Sequence, residues 1–316
     1  MPLTPPALTY FREVARTGSI TEAAAAHLIA PSAISRQIAK LEAEIGVALF
    51  ERHTRGMTLT EAGHRLLVHV RRNEMETSVL LAEMRGIDTA EPRTITVACT
   101  EGFAYRVVPH AMAKLRGTHS TIGFRLDVVG REEATRRVAE GSADIGATYA
   151  IGDQSTVRVE YSAVMPVYAV VPPGHPLAER PHVGLAELCG YPLALSAEGA
   201  SQRELFDAAT RIERLDFHTV LECDRAAAVY EFARSGGGVA ITSELGARNR
   251  PIEGVVHVRL DHPIFEQRRA QIQTMIGRRH DPRIPDFVNA LIAELPPAHS
   301  PSTASTPRLQ RQEPRP

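Results

Sequence analysis

A short stretch near the N-terminus, residues 19–45, limits the possible folds more than any other part of the chain. Ser19 followed three residues later by Glu22 is a capping box, which predicts a short helix that begins at Ile20. A proline then interrupts the helical pattern, and another helix is predicted over Ser32–Ile45. The chain is therefore expected to begin with short helices packed together.

The helix predicted over Ser32–Ile45 has two unlike faces. Apolar side chains recur at steps of four, three and four residues and form one stripe, made of Ile34, Ile38, Leu41 and Ile45. The opposite face carries Ser32, Arg36, Ala39 and Ala43, flanked by Ser35 and Lys40. That outer face is small in the middle and has hydrogen-bond donors in its N-terminal half. This is the shape that a helix needs to enter the major groove of DNA.

The segments on either side favour the same interpretation. A first helix is predicted over Pro6–Arg16, and two short apolar stretches around a basic turn with Arg52 and Arg55 predict a small hairpin. Residues 1–60 contain six Lys or Arg against five Asp or Glu, which is only a weak positive excess. From periodicity alone, a small helical subdomain with solvated cations remains as open as a DNA-binding one.

A long helix is predicted next, from Thr60 to about Arg85. Its seam follows heptad-like steps through Leu66, Val70, Asn73, Thr77, Leu80 and Met84. The seam predicts pairing with another helix, although two of its six positions are polar. A linker is predicted over residues 88–93.

After the linker the pattern changes to α/β alternation. Helices are expected over Arg131–Glu140, Arg225–Arg234 and Ile284–Leu295, and residues 296–316 are expected to be disordered because they lack bulky apolar side chains. The predicted strands are Thr94–Thr100, Phe124–Val129, Ala143–Thr148, Val167–Val171, Leu193–Ser196, Thr219–Cys223, Gly238–Thr242, Val255–Leu260 and Ala270–Ile276.

Composition excludes several classes of protein. The formal net charge is −1, from 36 Lys and Arg against 37 Asp and Glu, so binding to nucleic acid must come from locally placed cations. Three cysteines without a Cys-x-x-Cys pair argue against a disulfide framework or a zinc ribbon and suit a reducing cytoplasm. No membrane span or secretory signal is expected. The absence of HExxH, GxSxG and P-loop motifs argues against an enzyme, and no cofactor or metal is predicted.

The residues themselves resemble a known family. The motifs that carry the resemblance are Ser19-Ile-Thr-Glu-Ala-Ala, Pro31-Ser-Ala-Ile-Ser-Arg-Gln-Ile, Leu41-Glu, Gly46-Val, Leu49-Phe-Glu-Arg and Leu59-Thr-Glu-Ala-Gly. Together they resemble the LysR-type transcriptional regulators of bacteria. The similarity is dense over residues 8–65 and continues weakly to about residue 295.

The resemblance implies α/β architecture overall, with an N-terminal winged helix-turn-helix over residues 1–60 and a linker or dimerisation helix over 61–92. The helix-turn-helix would consist of Ile20–Leu28 and Ser32–Ile45. The DNA-facing residues would be Pro31, Ser32, Ser35, Arg36 and Lys40, with Arg52 and Arg55 in the wing. Many family members carry Gln where this chain has Pro31, so the operator half-site is expected to differ from the common one.

Residues 93–295 would form a two-lobed effector-binding domain like a periplasmic binding protein. Lobe one is expected over residues 94–164 and 267–295, and lobe two over 165–266. A ligand is expected between the lobes, where strand ends meet helix N-termini. The candidate effector-binding residues are Thr100, Glu101, Gly102, Phe103, Arg131, Thr148, Ser196 and Asp224.

Structural roles for some of these residues stay open. Thr100 and Ser196 could simply cap helices, and Arg131 could be an ordinary surface arginine rather than an anion clamp. Glu101 near an anion site would favour a ligand with an amine or several hydroxyl groups, or it would point outward. The cysteines are expected to be core residues, and redox sensing stays open as an alternative for Cys99 and Cys223.

The resulting hypothesis is a cytoplasmic regulator that binds a double-stranded DNA operator and responds to a small, anionic metabolite. Self-association as a dimer or tetramer is expected, and no contact with a membrane. The first alternative is a cytoplasmic small-molecule-binding or nucleoid-associated protein without promoter-specific regulation. An enzyme on a two-lobed scaffold is the second.

Overall fold

The N-terminal part of the computed structural model is helical and carries one hairpin. The structure describes residues 5–54, 56–84, 93–249, 253–277 and 281–296. The first elements are α1 (Pro6–Thr17), α2 (Ile20–His27), α3 (Pro31–Ile45), β1 (Phe50–His53), β2 (Gly56–Leu59) and the long α4 (Glu61–Met84).

The starts of the helices follow from local hydrogen bonding. The Oγ of Ser19 accepts from the backbone N–H of Glu22 at 3.3 Å, as the capping box predicts. The return bond of the box is replaced, because the N–H of Ser19 donates to Thr17 Oγ1 at 3.2 Å. Helix α3 begins at Pro31 itself, one residue earlier than predicted, because the first helical position needs no backbone N–H donor.

The apolar stripe of α3 packs into a small core shared with α1 and the start of the hairpin. Phe11 and Val14 of α1 are fully buried there together with Ile34 and Ile38 of α3. The prediction for Ile45 is wrong, since this side chain is 46% exposed at the end of the helix, where Gly46 leaves the helical path. The buried stripe therefore covers the first three of its four predicted members.

Helix α4 supplies part of the same core, which changes the interpretation of its seam. Leu67 and Val70 are buried among the α1–α3 side chains, and Leu66 packs against them. Leu80 and Met84, further along the helix, are exposed. The N-terminal end of the predicted heptad seam therefore packs against helices of its own chain and not against a second copy.

Two sheets follow. The first contains β3 (Arg93–Cys99), β4 (Ile122–Val128), β5 (Ile145–Ile151), β6 (Arg158–Val164) and β13 (Arg268–Thr274), in the order β4-β3-β5-β13-β6. The second contains β7 (Val167–Val171), β8 (His182–Gly184), β9 (Pro192–Ser196), β10 (His218–Cys223), β11 (Val239–Ser243) and β12 (Val256–Asp261), in the order β10-β9-β11-β7-β12-β8. We call these sheets with their helices lobe one and lobe two.

Helices cover both sheets. In lobe one they are α5 (Glu101–Ala104), α6 (Val107–Thr118), α7 (Arg131–Ala139) and α12 (Arg283–Ala293); in lobe two they are α8 (Leu185–Cys189), α9 (Ser201–Glu213), α10 (Ala226–Arg234) and α11 (Glu244–Asn249). Each lobe has its own apolar core. The chain crosses between the lobes twice, from β6 to β7 and from β12 to β13.

The predicted strands are found within a few residues of their observed positions, but two were missed. Strand β6 carries alternating polar side chains, and β8 has only three residues, so neither gives a clear apolar signal. The last strand begins at Arg268, two residues before the predicted start at Ala270. The DNA-binding prediction for Arg55 and most of the predicted tail over 296–316 lie outside the described residues.

Candidate nucleic-acid interface and ligand cavity

The outer face of α3 is open to solvent. Pro31, Ser32 and Arg36 are exposed, and Ser35 is half-buried. Arg36 makes no ion pair with any described residue, so its guanidinium is available to an external acceptor. Lys40 is less available, because its Nζ lies 3.7 Å from the carboxylate of Glu44 on the same helix.

The hairpin is fixed to the helices by backbone contacts. The N–H of Met57 donates to the carbonyl of Gly18 at 2.8 Å. Gly56 makes this approach possible, since a Cβ at that position would lie 2.7 Å from the same carbonyl oxygen. Glu42 of α3 accepts from the N–H of Leu49 at 2.7 Å. Arg52, which is exposed on the hairpin, is therefore held in a defined position relative to α3.

A cavity of ≈ 340 Å³ lies between the two lobes. It lies beside the carboxyl ends of the parallel strands β3, β4, β9 and β10, which is where α/β sheets place their ligands. Six of the residues predicted from the sequence border it: Thr100, Glu101, Gly102, Arg131, Ser196 and Asp224.

Two predicted residues lie elsewhere. Phe103 is fully buried in the core of lobe one, where its ring lies 5.1 Å from that of Tyr149. Thr148 is also fully buried, and it is Tyr149, the next residue on β5, that borders the cavity. For Thr148 the reason is that successive side chains of a strand point to opposite faces. The structure therefore does not support Phe103 or Thr148 as cavity residues.

Several polar contacts bridge the lobes at the cavity, and two of them involve residues predicted from the sequence. The Nη2 of Arg131, at the start of α7, donates to both carboxylate oxygens of Glu204 on α9 at 2.8 Å. Glu101 accepts from the backbone N–H of Ala226, the first residue of α10, at 3.2 Å. Glu101 also accepts from the hydroxyl of Tyr105. The carboxylate of Glu101 thus accepts a hydrogen bond from the N-terminus of α10 in lobe two, a role that was not predicted from the sequence.

Neither Thr100 nor Ser196 caps a helix with its side chain, which was the structural role left open for them. Thr100 precedes α5 but makes no side-chain cap, and its Oγ1 is buried without a hydrogen-bond partner. The Oγ of Ser196 accepts from the side-chain amide of Gln202 at 3.1 Å. A buried hydroxyl with no partner inside a protein costs free energy, so the Thr100 hydroxyl is a group that a ligand could satisfy.

The cavity also contains residues that the sequence did not reveal. Arg268 and Tyr230 border it, next to Tyr149. The guanidinium carbon of Arg268 lies 3.4 Å from the centre of the Tyr149 ring, a cation–π contact. Burial raises the pKa of Tyr230 to about 12 and also raises that of Tyr149, so both phenols stay neutral donors at physiological pH. A strand placed two residues earlier in the sequence would have included Arg268.

A metal site and a reactive thiolate at Cys99 receive no support in the described parts of the chain. No cluster of three metal-ligating side chains occurs among those residues. Burial raises the pKa of Cys99 to about 12, which disfavours its reactive thiolate form. None of the described helices is long and apolar enough to cross a lipid bilayer.

Comparisons with known proteins agree with this geometry. Residues 6–64 match the family described as bacterial regulatory helix-turn-helix protein, lysR family, and residues 89–296 match the LysR substrate binding domain. The RuBisCO operon transcriptional regulator of Allochromatium vinosum is 30% identical over 303 residues, which cover 92% of this chain and 96% of that protein.

Solved structures share the fold. A full-length OxyR variant from Pseudomonas aeruginosa superposes with a TM-score of 0.73 at 17% identity, covering 92% of this chain and 95% of that one. ArgP from Mycobacterium tuberculosis gives 0.66 at 20% identity, covering 92% and 97%. CbnR in complex with its target DNA gives 0.56 at 19% identity, covering 91% and 98%.

A winged helix-turn-helix joined through a long helix to a two-lobed domain defines a class, the transcription regulators with a ligand-binding domain. Within that class the chain belongs to the LysR family of bacterial transcriptional regulators. This family consists of regulators and not of enzymes.

Proposed function

We propose that this regulator binds a specific DNA operator through α3 and the hairpin. A small anionic metabolite in the interlobe cavity controls that binding or the bend of the DNA. The observation that carries the proposal is the outer face of α3. It offers exposed Ser32 and Arg36 side chains, and Arg36 has no carboxylate partner among the described residues. Donors at the N-terminal end of such a helix can reach base edges in the major groove.

The exposed end of α4 supports self-association. Leu80 and Met84 expose large apolar side chains there, on the part of the helix that does not pack against α1–α3. A second copy of the chain can cover them, which gives a dimer and, through further contacts, a tetramer. Two copies double the number of phosphate contacts, so a net charge of −1 per chain is compatible with DNA binding.

Helix α7 connects the cavity with α4. Its first residue, Arg131, forms the bridge to Glu204. At its other end, the carbonyl of Glu140 accepts a hydrogen bond from Arg71 of α4 at 3.4 Å. The neighbouring Arg72 of α4 also contacts lobe one, where it donates to the carbonyl of Gly277 after β13. A ligand that changes the distance between the lobes therefore acts on a helix that also contacts α4. Such a ligand shifts the equilibrium only as far as it prefers one arrangement.

The test is a comparison of specific and nonspecific binding. Genomic fragments retained by the full chain are sequenced, and binding to the enriched site and to a scrambled duplex is measured by fluorescence anisotropy at one salt concentration. We expect the enriched site to bind at least about 10³-fold more tightly. A ratio near one would contradict promoter-specific regulation and favour a nucleoid-associated protein.

A further inference from the structure

Arg268 is a buried cation without an anionic partner. It is 1% exposed and borders the interlobe cavity at the point where the chain crosses back from lobe two to lobe one. Its Nε donates to Ser201 Oγ at 2.8 Å, and its guanidinium covers the ring of Tyr149. Its Nη1 is buried without a hydrogen-bond partner. No carboxylate of the described residues lies within ion-pair distance of it.

Other arginines with little exposure in the structure have carboxylate partners. Arg283 pairs with Asp281 at 2.8 Å. Arg203 pairs with both Asp207 and Glu222, at 2.9 and 3.0 Å. A buried charge without a counter-ion is costly, and desolvation accordingly lowers the pKa of Arg268. Unlike Arg203 and Arg283, Arg268 therefore lacks a negatively charged partner, and an external anion would supply one.

We propose that the effector carries a carboxylate group and that the guanidinium of Arg268 binds this carboxylate. This inference rests on the proposed function, since it names the ligand class of the same cavity. Arg131 does not compete for this role, because Glu204 already neutralises it. The cavity offers two further groups, the unpartnered hydroxyl of Thr100 and the first turn of α9, which has no side-chain cap.

Charge and size select a carboxylate over other anions. One unpaired guanidinium balances one negative charge, whereas a phosphate monoester carries close to two at neutral pH. The planar fork of an arginine also matches the two oxygens of a carboxylate. A volume of ≈ 340 Å³ lies at the small end of ligand pockets, which suits a small organic acid better than a nucleotide.

The experiment measures thermal stability and binding heat of the full chain with defined probes. The probes are the sodium salts of glycolate, lactate, pyruvate, glycerate, succinate and benzoate, with inorganic phosphate and glycerol phosphate as competing chemistry and sodium chloride as the ionic control. The variants are Arg268→Met and, as the matched control, Arg269→Met. Arg269 is the next residue on β13, points to the other face and bonds Ser162 at 2.7 Å, away from the cavity.

We expect at least one carboxylate to stabilise the wild type and Arg269→Met. Its affinity for Arg268→Met should fall by more than about 30-fold, the loss typical of removing one partner of a buried charge pair. Equal affinity for the wild type and Arg268→Met would overturn the assignment. So would stabilisation by the phosphates alone, or no stabilisation by any carboxylate.

A second variant covers the case in which Arg268→Met does not fold. Arg268→Lys keeps a cation but loses the two-pronged geometry, so carboxylate affinity should fall about 10-fold or more. Unchanged carboxylate affinity in Arg268→Lys would overturn the assignment. Failure of the proposed function would give a different result, because the wild type itself would then bind the enriched operator site no more tightly than a scrambled duplex.

Discussion

The ion pair between Arg131 and Glu204 is expected to hold the two lobes together, and its removal gives a quantitative prediction. The change is Glu204→Gln, which keeps the size of the side chain and removes its charge. The two side chains are 20% and 36% exposed, so solvent screens part of their attraction. A pair of this kind contributes about 1 kcal/mol, which corresponds to about a fivefold change in an equilibrium constant.

The assay is hydrogen–deuterium exchange of the full chain, read in peptides from the first turns of α7, α9 and α10. Amides at the cavity exchange through opening of the lobes, so their exchange should accelerate about fivefold in Glu204→Gln. The matched control is Glu213→Gln, the same change on the same helix, because Glu213 pairs with His262 inside lobe two. Exchange in Glu204→Gln at the wild-type rate would refute the view that this pair joins the lobes.

Three further predictions concern other parts of the chain. Arg36→Ala should weaken operator binding by about 1–3 kcal/mol and relax base preference. Arg52→Ala should weaken binding to all DNA sequences alike and lower the slope of log affinity against log salt concentration by about one. Titrations at several salt concentrations distinguish the two variants. Val70→Ala should destabilise the N-terminal domain by about 2 kcal/mol in urea unfolding because Val70 is fully buried, while Leu80→Ala should leave the unfolding free energy of a dilute monomer nearly unchanged. Native Cys99 should resist iodoacetamide at pH 8, because its thiol is buried and its pKa is raised to about 12. Rapid labelling at Cys99 itself, resolved from Cys189 and Cys223 by peptide mass spectrometry, would contradict this.

The pH dependence of stability has a defined sign for this thiol. Burial raises the pKa of Cys99 from an ordinary 9.0 to about 12, so the folded state retains the proton that the unfolded state loses. The contribution of the neutral thiol to stability is therefore complete below pH 9 and declines as the pH rises toward 12. Cys99→Ala should lessen the alkaline loss of stability, as measured by urea unfolding at pH 8 and pH 10.

The sequence predicted best where one element alone determines the outcome. The capping bond of Ser19 depends only on residues a few positions away, and the buried stripe through Ile34 and Ile38 depends only on the period of one helix. Strand ends were also good guides to the cavity, because parallel strands place their carboxyl ends on one edge of a sheet. Thr100 and Ser196 were found in this way.

The sequence predicted less where the outcome depends on contacts between elements. The heptad-like seam of α4 cannot show whether Val70 contacts a second copy or its own chain, and it contacts its own chain. Adjacent strand residues point to opposite faces, and the sequence could not show which of the neighbours Thr148 and Tyr149 faces the cavity; it is Tyr149. The bridge between Arg131 and Glu204 joins residues 73 positions apart, and no local pattern reveals it.

We infer that the outer face of α3 reads DNA sequence as part of a symmetric assembly. Hydroxyl-radical footprinting of an enriched genomic site tests it most directly, with the wild type and Arg36→Ala side by side. We expect two protected half-sites separated by about one helical turn, or a multiple of it, on one face of the duplex, and weakened protection with the variant. Uniform protection without half-sites, or identical footprints for the two proteins, would contradict it.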